Sequence, residues 1–111
     1  MNEYENAEIA MTLIAYSGEA RTHAFQALKS AREKDFDQAK SLMKQAEQSS
    51  TKAHQAQTSL LVSEANGESV TLNVLLIHAQ DHLMTSMLAL ELIQEMILLH
   101  ESKADKKGVE Q

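Results

Sequence analysis

The chain has 111 residues, with 10 Lys and Arg against 16 Asp and Glu, giving a formal charge of −6; that length accommodates one domain at roughly 100–200 residues each. A hydrophobic fraction of 43% and a charged fraction of 23% exclude global disorder. Cysteine is absent, which excludes disulfide scaffolds, thiolate zinc sites and thiol nucleophiles, and the acidic balance argues against binding nucleic acid.

The chain opens with the acidic stretch MNEYENAEIA, unlike a signal peptide, and no unbroken apolar run approaches the ~18 residues of a membrane span. The expectation is a soluble, cytoplasmic protein. Proline is absent, glycine occurs at Gly18, Gly67 and Gly108, and strong helix formers dominate without any clean apolar alternation. The fold class predicted is all-α.

A first helix, about 3–33, carries Ile9, Leu13, Tyr16, Ala20, Ala24, Ala27 and Ala31 at three- and four-residue steps. Gly18 within it is expected to permit a close helix approach. Asp35, with Gln38 three residues on, is a capping signal for a second helix over 36–65. Its stripe is Ala39, Leu42, Ala46, Ser49, Ala53, Ala56 and Leu60, and it fades at the Asn66-Gly67 turn. A third helix, 71–102, is expected to be capped by Ser69 or Thr71. The domain thus spans 1–103, and the polar segment 104–111 reads as a flexible C-terminal tail.

Helices of this length predict an antiparallel up-down-up bundle. The third helix differs in kind from the small-residue stripes of the first two. Leu75, Leu76, Ile77, Leu83, Met84, Met87, Leu88, Leu90, Leu92, Ile93 and residues 96–99 cover most of its circumference. A helix apolar nearly all round must be buried all round, so the expectation is self-association through this helix.

Within it lie His78, Asp81 and His82. At ~100° per residue, Asp81 falls about 60° to one side of His78 and His82 about 40° to the other. Polar groups on so apolar a face cost a few kcal/mol each unless satisfied. Three arrangements account for them. Asp81 could bond both imidazoles in a structural network; the three could bind a metal in a structural or adaptor bundle; or one imidazole could be a nucleophile that accepts a phosphoryl group. His23, His54 and His100 read as surface or interfacial, and Met84, Met87 and Met96 as core filler or, near His78, as part of an adaptable docking surface.

The segment LLIHAQDHLMTSMLALELI resembles the signature of the lactose/cellobiose-type enzyme IIA of the bacterial phosphotransferase system. IAYSGEARTHAFQALKSAREKDFDQAKSLMKQA and AHQAQTSLLVSEANGE resemble the rest of that family in order and spacing, over residues 7–100. The resemblance implies a homotrimer of three-helix subunits, nine helices in all. It implies that His78 accepts a phosphoryl group from the histidine-containing phosphocarrier protein and passes it to a cysteine of enzyme IIB. It also implies that Asp81 points to the three-fold axis, where three copies hold a metal ion, taken as magnesium, and that Gln80 and His82 support His78. The sugar implied is a β-linked disaccharide of the cellobiose, chitobiose or lactose class. Independently, no G-x-x-x-x-G-K-[ST] loop is present to hold a nucleotide, so the group must arrive from another protein.

Overall fold

The computed structural model describes the backbone of residues 2–110 and the side chains of residues 2–105. Three helices, α1 (Glu3–Arg32), α2 (Phe36–Ala65) and α3 (Val74–Glu110), make a rod of 63 × 20 × 19 Å. The short connections make neighbours antiparallel, and no strand occurs among the described residues.

Each helix starts on a side-chain cap. Asn2 Oδ1 accepts from the Glu5 amide at 2.8 Å, Asp35 Oδ1 from Gln38 at 3.2 Å and Asn73 Oδ1 from Leu76 at 2.9 Å. The expected cap at Ser69 or Thr71 is therefore corrected to Asn73, and α3 begins at Val74. Ser, Thr and Asn cap comparably well, so residue type alone did not choose among them; Asn73 directly abuts the apolar run. Asn73→Ala should lower stability by about 1 kcal/mol, read from the urea midpoint. A change within error would show that the cap is not what anchors α3.

The two turns differ in chemistry. Gly67 takes the left-handed conformation at φ 85°, as the Asn66-Gly67 signal implies. The first turn places Lys34 at φ 66° without a glycine. Two bonds hold it there, from the Lys34 amide to the Ala31 carbonyl (3.0 Å) and from Asp35 to Ser30 (2.9 Å). At its far end α3 continues beyond 102 and is helical through Glu110. The expected tail 104–111 lies partly outside the described residues.

The core is built in two halves. One joins Ala20, Ala24, Ala27 and Ala31 to Ala39, Met43 and Ala46 and to Leu90, Ile93 and Ile97. The other joins Ala10 and Leu13 to Ala53 and Leu60 and to Leu76, Ala79 and Leu83. Between them in register lies one buried serine per helix, Ser17, Ser49 and Ser86. Ala10, Ser17 and Met43 take inward places expected for Ile9, Tyr16 and Leu42, which are half-buried. Angular position around the helix prevails over side-chain size. A Cβ built on Gly18 would meet nothing within 4 Å, so the expected close approach there is corrected.

α3 turns Leu76, Ala79, Leu83, Leu90, Ile93 and Ile97 inward. Its other face is bare within one chain: Val74 is 82% exposed, Leu88 55% and Leu99 68%. By length and composition Val74–Asp105 is apolar enough to cross a membrane, although only 28% of its most apolar window is buried in the chain. That corrects the expectation of no such segment. His78, Gln80, Asp81 and His82 break the run into short pieces, so a search for unbroken apolar residues passes over it.

Candidate functional site

The site lies in the second and third turns of α3 after the Asn73 cap. The inward stripe fixes where every other side chain on this helix points. At ~100° per residue, Asp81 stands nearly opposite Leu83 and Ala79 and within about 20° of Leu88, Leu92 and Leu99. It is thus an exposed carboxylate in the middle of the outward apolar strip. His78 lies about 60° to one side of Asp81, with His82 beyond it, and Gln80 about 100° to the other side.

His78 is exposed, and among the described residues it makes no hydrogen bond. Its ring meets that of His82 edge-to-face, with centroids 4.5 Å apart and an interplanar angle of 82°. His82 is half-buried, and its Nδ1 is buried without a hydrogen-bond partner. His82 thereby walls one side of His78 and leaves the other open. On the opposite flank Gln57 Nε2, from α2, donates to Gln80 Oε1 at 2.6 Å.

Two of the arrangements expected for this cluster are not formed. The Asp81 side chain bonds neither imidazole; its backbone carbonyl accepts from Thr85 Oγ1 at 2.8 Å. No group of three His, Asp or Glu side chains that could hold a metal occurs among the described residues. The reason is directional: Asp81 points along the outward strip while both histidines point to its flank. The other histidines stand apart. His54 is exposed on α2, and His23 lies 4.0 Å from Glu19. The pairing of Gln57 escaped sequence reading, yet a signal was present. Gln57 follows Ala53 by four residues and precedes Leu60 by three, which puts a polar residue on the buried stripe.

A groove of about 560 Å³ between α2 and α3 is lined by Met43, Met87 and Leu90 together with Glu47, Glu91 and Glu95. Its carboxylates would repel a phosphorylated ligand. The chemistry available at α3 is instead that of an imidazole whose ring nitrogens are free, on the edge of an apolar strip and reachable by a macromolecule.

On this all-helical rod the imidazole stands at the surface and not inside an enclosed pocket. The family model for the PTS system, Lactose/Cellobiose specific IIA subunit, matches residues 8–101, and the chain belongs to that family of phosphotransferase-system proteins. The N,N'-diacetylchitobiose-specific EIIA component of Escherichia coli K12 is 48% identical over 97 residues, which are 87% of this chain and 84% of that one. The cellobiose-specific enzyme IIA of Bacillus anthracis superposes with a TM-score of 0.89 at 40% identity, covering 96% of this chain and 95% of that chain. The IIA(Chitobiose) of the E. coli IIA–HPr complex does so with a TM-score of 0.78 at 44% identity, covering 94% and 99%. Members of this family transfer phosphoryl groups.

Proposed function

We propose that this chain is a phosphocarrier of sugar uptake that holds the phosphoryl group on His78. A ring nitrogen of His78 attacks phosphorus in line as the bond to the donor's histidine breaks. In the second step the group leaves to a cysteine sulfur of the enzyme IIB component. The donor fits the histidine-containing phosphocarrier protein, HPr, with which the E. coli relative was solved. The observation that carries this reading is an exposed imidazole, unbonded among the described residues and set beside an apolar strip. Positioning and charge neutralisation do most of the work in such a transfer, with little covalent work for the protein. Work of this kind belongs in the cytoplasm, with transient docking on the membrane permease. The chitobiose and cellobiose relatives favour a β-linked disaccharide as the sugar taken up.

The outward strip of α3 supports assembly as a homotrimer around a three-fold axis. Three such faces cover one another, and the heterologous contact closes. Asp81 then brings one carboxylate per subunit to the axis. Its side chain is free of hydrogen bonds to the described residues, and three hard oxygen donors fit Mg²⁺. Such an ion would offset the repulsion among the carboxylates, a role in assembly and not in transfer. Asp81→Leu should stay trimeric in the presence of a chelator and accept phosphate at the parental rate. Loss of acceptance by a variant that is still trimeric would assign Asp81 to the phosphoryl site instead.

The test of the function is incubation with phosphoenolpyruvate and the general phosphotransferase proteins. Intact mass should rise by one phosphate per chain, and native mass should report three chains. Absence of labelling overturns the reading.

A further inference from the structure

We infer that Gln57 is a positioning residue of the phosphoryl site, holding the Gln80 amide so that its N–H group faces His78 of the neighbouring subunit. The inference rests on the trimeric carrier proposed above.

Within one chain, His78 and Gln80 cannot serve the same phosphoryl group. They project about 160° apart and flank the outward strip on opposite sides. In a cyclic trimer with α3 at the axis, one flank of each subunit faces the other flank of the next. The helices there run parallel at equal height, so His78 of one chain and Gln80 of the next differ by only about 3 Å along the axis. The seam therefore brings together two groups that each chain keeps apart.

A free glutamine would be a poor donor, since its side chain rotates and either end of the amide can face outward. Here Gln57 Nε2 donates to Gln80 Oε1 at 2.6 Å, in a half-buried setting between α2 and α3. With its oxygen engaged, Gln80 has its two N–H donors left for the seam. A phosphoryl oxygen accepts such a bond, and bonds to charged acceptors are the stronger kind. An outward amide oxygen would instead oppose the incoming charge.

The experiment measures the rate of phosphate uptake by intact mass, with native mass and helicity as controls. Gln57→Leu removes the anchor and should slow acceptance about tenfold while leaving a trimer. Gln57→Glu keeps the shape but can only accept, so it turns the Gln80 amide round and should slow transfer at least as much. Subunit mixing separates positioning across the seam from packing within the chain. The His78→Ala protein accepts nothing but has Gln57 and Gln80 intact. In mixed trimers of Gln57→Leu and His78→Ala chains, about half of the acceptor histidines face an intact pair, and these should label at the parental rate. Uniformly slow labelling of the mixture, or a Gln57→Glu trimer at the parental rate, overturns the inference. An unlabelled parent protein would refute the carrier function itself, a separate result.

Discussion

Replacement of His78 by alanine should yield a protein that folds, assembles and takes up no phosphate at all. His78 is exposed and makes no hydrogen bond among the described residues. Its loss should therefore shift stability by no more than about 0.5 kcal/mol, the usual range for such surface sites. The effect on function should be all or none, because His78 is the exposed imidazole set beside the outward apolar strip. His82 has its Nδ1 buried, and His23, His54 and His100 lie on other faces or at the far end of the rod. Intact mass after incubation with phosphoenolpyruvate and the general phosphotransferase proteins reads the first effect, and circular dichroism the second. Equal labelling of His78→Ala and parent would remove His78 as the acceptor.

The largest effect on stability should come from Leu83→Ala. Leu83 is 1% exposed and packs in the half of the core that also contains Leu13, Leu76 and Ala79. α1 contributes Ala10 and Leu13 to this half and α2 contributes Ala53 and Leu60, all buried already, so the lost methyl groups leave a gap among side chains that are fixed in the core. A cavity of this kind costs about 2–5 kcal/mol, a large share of the 5–15 kcal/mol typical of a domain. The urea midpoint should fall accordingly, compared at one protein concentration because assembly itself contributes stability. A loss below about 1 kcal/mol would mean that the bundle collapses around the gap.

Much of the site was legible before the fold was known. HAQDH within an apolar helix marks His78, Asp81 and His82 as a cluster by chemistry alone, since ionisable groups on such a face need a reason to be there; the choice of His78 among them came from the family resemblance. Gln57 was less visible, because its partner is 23 residues away and on another helix. The start of α3 was misplaced for a similar reason: Ser69, Thr71 and Asn73 carry equivalent capping chemistry, and only packing chooses the last.

By itself the sequence determined three helices, their small-residue stripes and a third helix too apolar to stand alone. These are local properties, written in the 3.6-residue period and in the absence of proline and strand patterns. Only the tertiary structure decided which side of α3 turns inward. The apolar residues surround that helix, so periodicity gives no direction; contact with α1 and α2 supplies it. Once Leu76 and Leu83 point inward, Asp81 is committed to the outer strip, His78 to one flank and Gln80 to the other.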